Sequence, residues 1–209
     1  MSSSDHLVGT RDRLLAAGRE EFAAHGMAGA RVSRIAERAD VSKERIYGYF
    51  GSKENLFVAV VSEALNEHAV LLGPPSGDLA DFVGRIYDLH QRNPQLLRLM
   101  MWEALQYDGD CLPAERQRSI RYQEMVETLA AALGTKPDDR AAGTLLALIG
   151  IAVLPSAFPQ ITRLILGSTA DEHTDLRQHL VDLARRMTAT PPLPSARAGL
   201  STMPGELER

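Results

Sequence analysis

The stretch VSRIAERADVSKERIYGYFGSKENLF, residues 32–57, decides the fold class of this chain. Residues 32–39 and 43–50 each repeat apolar side chains at helical spacing, and the sequence at 40–42 interrupts the pattern between them. Ser42 is suited to cap the second short helix, and Gly51 is suited to end it. Two short helices joined by a tight turn, with a longer helix before them, are the layout of a helix-turn-helix DNA-binding unit.

The side chains of these two helices divide into an inward and an outward set. The inward residues are small or branched and allow close packing: Ile35, Ala36, Val41 and Ile46. The outward residues suit contacts with base edges and phosphates: Ser33, Arg34, Lys43, Glu44, Arg45, Gly48 and Tyr49. Residues 31–53 contain six basic and three acidic residues, although the whole chain has a formal net charge of −4. A local basic excess in an acidic chain favours a nucleic-acid contact.

Helical periodicity continues on both sides of this stretch, and no segment shows the alternation typical of a strand. Upstream, residues 10–26 repeat apolar positions every four residues, and Gly26 is expected to end that helix. Downstream, Ser52 is expected to cap a fourth helix, and the sequence PPSG at 74–77 separates it from further helices. Residues 190–209 are rich in Pro, Gly and Ser, which predicts a disordered tail.

Composition excludes several classes of function. The chain has 209 residues and is 44% hydrophobic, which is typical of a globular protein, and its one cysteine, Cys111, excludes an intramolecular disulfide. The histidines show no paired ligand spacing and no nucleotide-binding or hydrolase motif is present, so we expect no metal, no cofactor and no enzymatic activity. The N-terminus lacks a signal peptide, and Pro155 interrupts the apolar run 141–161, so we predict a cytoplasmic protein without a membrane span.

The N-terminal residues resemble the DNA-binding domain of the TetR (tetracycline-repressor-like) family of transcriptional regulators. The family pattern runs approximately A-x-x-x-F-x-x-x-G, then I-A-x-x-A-G-V-S, then L-Y-x-x-F-x-x-K-x-x-L. This sequence matches the pattern at Phe22, Gly26, Ile35, Ala36, Ala39, Val41, Ser42, Tyr47, Phe50, Lys53 and Leu56. Such a match, spread over about forty residues, is far more specific than a short motif.

Three departures from the family pattern are informative. Asp40 stands where the family has a turn glycine, and we expect the turn to survive because aspartate tolerates the left-handed conformation better than most residues. Arg45 replaces a small Ser or Thr, and Gly48-Tyr49 replaces the commoner aromatic-His pair. Since these outward positions tend to select the operator, its sequence is expected to differ from those of relatives.

The resemblance implies roles for individual residues at the DNA. Tyr47 and Lys53 are expected to bind phosphates, Lys53 from the first turn of the fourth helix. Arg34, Lys43 and Arg45 are expected to reach guanine edges or phosphates, Ser33 and Ser42 to donate to phosphates, and Glu44 to accept from a cytosine amine. For Ser33, Glu44 and Tyr49 a solvated surface position is the competing interpretation. The predicted DNA-contact set is Ser33, Arg34, Ser42, Lys43, Glu44, Arg45, Tyr47, Gly48, Tyr49 and Lys53.

For the second half, the resemblance implies an effector site and a dimer interface. Residues 95–107, QLLRLMMWEALQY, are apolar nearly all round and predict a central helix buried on several sides. The predicted effector contacts are Arg98, Met101, Trp102, Leu105, Tyr107, Tyr122 and Phe158. The competing interpretation is a plain core helix in which Trp102 packs and Arg98 pairs with an acid. Residues 143–154 and 176–187 could form a four-helix bundle across a twofold axis, or 143–154 could be buried within one subunit.

Together these observations predict an all-α protein with a three-helix helix-turn-helix head and a larger helical domain for ligand binding and dimerisation. The predicted divisions are the head at 1–52, a connecting fourth helix at 53–73, the effector-binding and dimerisation domain at 78–189, and the tail at 190–209. The predicted function is that of a repressor, which binds a palindromic operator as a homodimer and is released by a small-molecule effector. Two alternatives are a transcriptional activator of the same fold, and a helical ligand-binding protein or enzyme with no DNA affinity.

Overall fold

A computed structural model describes residues 3–107, 112–167 and 173–189. Within these ranges the chain forms ten helices and no strand, which confirms the predicted all-α class. The helices are α1 Ser3–Gly29, α2 Val32–Ala39, α3 Lys43–Phe50, α4 Lys53–Leu72, α5 Leu79–Arg92, α6 Pro94–Tyr107, α7 Glu115–Leu133, α8 Asp139–Ala157, α9 Pro159–Leu166 and α10 His173–Thr188. The predicted disordered tail and Cys111 lie outside the described residues.

The first helix, α1, breaks at Gly26, where the sequence predicts its end. Gly26 has φ 64° and ψ 179°, a backbone conformation essentially restricted to glycine. A short helical turn follows to Gly29, and the Ala30 N–H donates to the Gly26 carbonyl at 3.1 Å. The break redirects the chain so that α2 can cross α1.

The two short helices, α2 and α3, have the bounds that the apolar pattern predicts. Between them Asp40 adopts the left-handed conformation, with φ 55° and ψ 53°. The Val41 N–H donates to the Ala36 carbonyl at 3.0 Å, which closes the end of α2. The aspartate therefore makes the turn that the family usually builds with glycine.

One hydrophobic core holds the helix-turn-helix unit on α4. Phe22 of α1 and Ile46 of α3 are completely buried, and the Phe22 ring meets the Phe57 ring of α4 edge-on at 5.1 Å. Leu96 and Leu99 of α6 belong to the same core. A helix from the second half of the chain therefore packs directly against the head.

A second core surrounds α5. Phe82, Val83 and Ile86 of α5 are buried against α8 and α10, which contribute Leu148 and Ala184. The end of α4 and the C-terminal part of α7 also pack into this core. The second core thus gathers most of the chain beyond residue 78, and α4 runs from one core to the other.

The prediction that α6 is buried on several sides is wrong. Leu96, Leu97 and Leu99 are buried, but Trp102 is 37% exposed and Leu105 is 70% exposed. Because apolar residues surround this helix, its composition does not show which side faces a neighbour. The position of α6 beside α1 and α4 selects the buried side.

The sequence suggests that Pro155 interrupts the helix, but the helix continues through this residue, which lies in the last turn of α8. α8 continues through Pro155 to Ala157, where a proline removes only one hydrogen bond of the helix. By length and composition alone, α4 and α8 could each cross a membrane. In this structure α4 contributes buried residues to both cores, and α8 contributes buried residues to the second.

The predicted pairing of 143–154 with 176–187 across a twofold axis stays a prediction. Leu180, Val181 and Ala184 of α10 are buried, and α10 packs chiefly against α5 of the same chain. Exposed apolar side chains lie instead along α8, α9 and their junction. We name this set the α8–α9 apolar face: Leu146, Leu154, Phe158, Ile161, Leu164 and Ile165.

Candidate functional site: a nucleic-acid face and an interior cavity

The outer side of α3 presents most of the predicted DNA-contact residues. Its exposed residues are Lys43, Glu44, Arg45, Tyr47 and Gly48. Ser42, immediately before α3, and Ser33, in the first turn of α2, are exposed as well. Ile46, on the inner side, is completely buried. Since the inner side of α3 is fixed by packing, the outer side is held in one orientation, as groove recognition requires.

Tyr49 and Phe50 are half-buried and pack against the head core rather than projecting freely. Their ring centroids are 6.1 Å apart. In contrast, Tyr47 is 49% exposed. Of the two tyrosines in α3, Tyr47 therefore has the freer hydroxyl-bearing ring for a phosphate contact.

The start of α3 carries a negative charge that is already paired. The pKa of Glu44 is lowered because its carboxylate accepts hydrogen bonds from its own backbone N–H and from the Ser42 hydroxyl. Glu44 therefore covers part of the N-terminus of α3, where N–H groups would otherwise be free for an anion. To contact a phosphate or a base, the Ser42 hydroxyl would have to give up its hydrogen bond to Glu44.

Arg34 is held inside the head by a buried carboxylate. Glu21 of α1 is 1% exposed, and it accepts from Arg34 Nε at 2.8 Å and from the Arg31 backbone N–H at 2.9 Å. Burial acts to raise the pKa of Glu21, but these hydrogen bonds and the charge of Arg34 outweigh burial and lower it. The structure thus gives Arg34 a partner in α1, so its first role is to fasten α2 to that helix.

Arg31 is a candidate contact that the sequence interpretation counted only as part of the basic excess. It is exposed and stands immediately before α2, at the N-cap position. The N-terminus of a helix and an adjacent cation both attract phosphate. The sequence shows an excess of positive charge in this stretch, but it does not show which arginine is bound to a carboxylate of the protein and which is available to DNA.

Lys53 begins α4 close to the end of α1. Its Nζ lies 3.5 Å from the Ala28 carbonyl, and the side chain is only half-buried. Ser52 caps α4, as predicted, by accepting from the Asn55 N–H at 3.1 Å. The ammonium group is thus placed at the positive end of a capped helix, a combination that suits phosphate binding.

A cavity of about 980 Å³ lies beyond the head, bounded by α4, α5, α6, α7 and α8. Leu97, Met100, Glu103 and Ala104 of α6 face it, so α6 lines the cavity with one side and packs on the head with another. Its volume is at the upper end of the range for small-molecule sites, about 300–1,000 Å³. No group of three or more potential metal-ligating side chains occurs within the part of the chain that the structure describes.

Of the predicted effector contacts, Tyr122 lines this cavity. The others do not line it: Arg98, Met101, Trp102, Leu105, Tyr107 and Phe158. On α6 the reason is the register, because the cavity-facing positions are 97, 100, 103 and 104, and one residue along the helix turns a side chain by about 100°. Sequence reasoning missed Met125 and His90, which line the cavity from α7 and α5.

Trp102 instead packs against the helix break in α1. A Cβ atom at Gly26 would lie 2.8 Å from Cδ2 of the indole ring, so the ring occupies the space that the glycine leaves. This agrees with the interpretation of Trp102 as a packing residue. The contact joins the cavity-lining helix to the head.

Comparisons with known proteins agree with this arrangement. Residues 14–60 match the family model described as "Bacterial regulatory proteins, tetR family", and residues 78–186 match "Tetracyclin repressor-like, C-terminal domain". The chain is 35% identical over 182 residues to the HTH-type transcriptional repressor SCO4008 of Streptomyces coelicolor, which covers 85% of this chain and 94% of that protein.

Two further likenesses have the same character. The HTH-type transcriptional repressor NicS of Pseudomonas putida is 31% identical over 119 residues, 54% of this chain and 55% of that protein. Among solved structures, a protein described as a transcriptional regulator, SCO4942 from Streptomyces coelicolor, matches with a TM-score of 0.72 and 31% identity. That match covers 85% of this chain and 97% of the solved one.

Proposed function

The chain belongs to the TetR family of transcriptional regulators, and we propose that it represses transcription as a homodimer on a palindromic operator, from which a small effector releases it. Relatives of this chain are named repressors, which supports repression rather than activation. Because its partner is DNA, the proposed location is the cytoplasm. The head at 1–52 is assigned to DNA, α4 to the connection, and 78–189 to effector binding and dimerisation.

The observation that carries the DNA assignment is the division of α3 into a packed side and a free side. Ile46 is fully buried, whereas Lys43 and Arg45 are exposed, and no hydrogen bond among the residues that the structure describes engages their side chains. Two exposed cations on a rigid two-turn helix fit the major groove, where arginine and lysine recognise guanine. Tyr47 and Lys53 are assigned to the flanking phosphates.

The dimer assignment is supported by the α8–α9 apolar face. Leu164 is 82% exposed and Ile165 is 76% exposed, and a surface with several such side chains is typical of an interface. A dimer with a twofold axis presents two identical heads, and a dimer of this symmetry binds two half-sites of a palindrome.

The release mechanism is supported by the shared position of α6. A ligand in the cavity would contact Met100 and Ala104 on one side of α6, while Leu96 and Leu99 on another side belong to the head core. A shift of α6 therefore cannot leave the head unaffected. Since two half-sites must be bound in register, a small change in the position of each head weakens operator binding.

The direct test is fluorescence polarisation with labelled duplexes from the DNA upstream of the gene. We expect one fragment to bind with an affinity that falls steeply with salt and resists an excess of unlabelled random duplex. If the folded protein binds every fragment no more tightly than random duplex, the operator proposal is wrong. Sedimentation of the free protein tests the dimer separately, so failure of one part is distinguished from failure of the other.

A further inference from the structure

The cavity wall is largely apolar, and its charged side chains are Glu103, Glu115, Glu124, Arg118 and Arg121. The carboxylate of Glu103 is 5% exposed and accepts from both Nη atoms of Arg118, at 2.6 and 2.9 Å. Arg121 donates to the Asn66 side-chain oxygen at 2.8 Å. The charge of Arg118 is thus met by Glu103, and Arg121 is engaged by neutral oxygens of Asn66 and Leu65. Three carboxylates therefore face two guanidinium groups around the cavity, so its charge does not favour an anionic ligand.

Two histidines in this wall have unmet hydrogen-bonding capacity. His68 of α4 and His90 of α5 lie with their ring centroids 4.9 Å apart, and both line the cavity. His90 is only 3% exposed. The Nδ1 atoms of both rings are buried without a hydrogen-bond partner. A buried polar atom without a partner is costly, so a ligand that turns either ring towards the cavity and supplies the partner gains affinity at this position.

Both rings are neutral at the pH of the cytoplasm. Burial, and secondarily the neighbouring His68, lowers the pKa of His90 to about 4. Burial also lowers the pKa of His68. A neutral imidazole has one N–H donor and one nitrogen acceptor, so the pair offers both kinds of hydrogen bond but no charge.

We infer that the cavity selects an uncharged, largely apolar ligand that carries a hydroxyl group, and that the His68–His90 pair is its polar anchor. A hydroxyl both donates and accepts, so it can satisfy either tautomer of the pair. A carboxylate would only accept, and would add a negative charge to a lining in which three carboxylates already outnumber two guanidinium groups. This inference deepens the proposed function, on which it rests for the assumption that the cavity is the effector site.

The experiment is calorimetric titration of the full chain with three probes of similar size: 2-naphthol, 2-methoxynaphthalene and 2-naphthoate. We expect 2-naphthol to bind about five- to tenfold more tightly than 2-methoxynaphthalene, which cannot donate, and 2-naphthoate to bind most weakly. Equal affinities for the first two probes, tightest binding of 2-naphthoate, or no binding of any probe would overturn the inference. This comparison uses the wild-type protein and needs no variant.

Variants then locate the anchor. His90→Phe is expected to reduce the affinity for 2-naphthol to that for 2-methoxynaphthalene, and to leave the latter unchanged. The matched control is His179→Phe, because His179 is exposed on α10 and does not line the cavity. If His90→Phe keeps the preference for 2-naphthol, the assignment of His90 to the polar anchor is wrong. If His90→Phe does not fold, His68→Phe replaces it and is expected to lose the preference for 2-naphthol.

Operator binding of the same protein samples, measured without probe, separates this inference from the proposed function. Loss of the probe preference with intact operator binding overturns the inference alone. A protein that prefers 2-naphthol but binds no operator overturns the proposed function and supports the ligand class.

Discussion

Arg45 and Lys53 are two cations of the head that the structure places in different settings. Arg45 is exposed in the middle of α3, while Lys53 begins α4 with its Nζ near the Ala28 carbonyl. A cation in the major groove can contact base edges, whereas a cation at a helix N-terminus is suited to contact phosphate. Phosphates are identical in every DNA sequence, so the second kind of contact contributes affinity without specificity. Single residues of similar charge are therefore expected to contribute differently to affinity and specificity.

Arg45→Ala is expected to weaken operator binding by about 1–3 kcal/mol and to leave binding to random DNA nearly unchanged. Lys53→Ala is expected to weaken both kinds of binding similarly and to reduce the slope of log K against log salt by about 1. Polarisation titrations over a range of salt concentrations measure both effects. If the two variants behave alike, the division between base and phosphate contacts is wrong.

Arg34 and Arg31 provide a test of structural against DNA-binding roles. Arg34→Ala removes the main partner of the buried Glu21, which is expected to lower the free energy of unfolding by about 1–3 kcal/mol. Arg31→Ala removes an exposed side chain and is expected to change stability by less than about 0.5 kcal/mol, while it weakens DNA binding. Urea denaturation gives the stabilities, and an unchanged stability of Arg34→Ala would contradict its structural role.

His90 makes the stability of the protein depend on pH. Its folded pKa is about 4, against an ordinary value of 6.5, so the unfolded chain binds more protons between these values. The stability due to neutral His90 is complete above pH 6.5 and is lost as the pH falls through about 4. Between about pH 7.5 and about pH 5 this residue is expected to cost about 2 kcal/mol.

Urea denaturation of wild type and His90→Phe at the two pH values isolates this contribution. The decrease on acidification is expected to be smaller in His90→Phe by about that amount, because groups other than the neighbouring His68 titrate alike in both proteins. The exposed His179 provides the control substitution. Identical decreases in wild type and His90→Phe would show that His90 does not have the lowered pKa.

At the scale of elements, α1 and α6 are joined where the helix break meets the indole ring of Trp102. Gly26→Ala would force a Cβ into a glycine-restricted conformation and to within 2.8 Å of that ring. We expect a loss of about 1–3 kcal/mol in the free energy of unfolding, together with a change in tryptophan fluorescence. Trp102 is the single tryptophan of the chain, so all tryptophan emission comes from this ring.

A matched control for this prediction is Gly48→Ala. Gly48 lies within α3, and a Cβ there would meet nothing within 4 Å. Replacing a helical glycine by alanine in open space is expected to be neutral or to stabilise by up to about 1 kcal/mol. If Gly26→Ala is as well tolerated as Gly48→Ala, the break in α1 is not fixed by the indole ring and the backbone.

The same elements show how far sequence alone could go. The bounds of α2 and α3 follow from local signals: an aspartate at the turn, a glycine after the second helix, and apolar residues on one side. The orientation of α6 does not follow from local signals, because its apolar residues surround the helix and the side that packs depends chiefly on α1 and α4. The cavity-facing residues of α6 therefore could not be predicted from the sequence, whereas the exposed side of α3 could.

At the scale of the whole molecule, the exposed apolar residues of α8 and α9 predict the assembly. Leu164→Glu places a charge in the α8–α9 apolar face and is expected to shift the dimer towards monomer, with loss of operator binding. The control is Leu105→Glu, at a residue that is 70% exposed on α6, outside that face. Sedimentation velocity measures the assembly; a monomer from Leu105→Glu and a dimer from Leu164→Glu would move the interface to α6.

Effector and operator binding must also be linked reciprocally in such a molecule. If an effector weakens operator binding tenfold, the operator weakens effector binding by the same factor, because both ligands act on one conformational equilibrium. Under the proposed function we assign that equilibrium to α6, because α6 contributes Met100 to the cavity and Leu99 to the head core. The two binding functions are therefore not independent properties of two halves of the chain.

The membership of Leu96 and Leu99 in the head core has a consequence for building chimaeric regulators. A graft that cuts the chain after the helix-turn-helix would leave behind Leu56 and Phe57 of α4 as well, and the transplanted head would expose the surface that they cover. A portable reading head must carry α4 and be matched to the acceptor's α6. Exchange of α3 surface residues within the intact chain is thus the sounder way to redirect this protein to a new promoter.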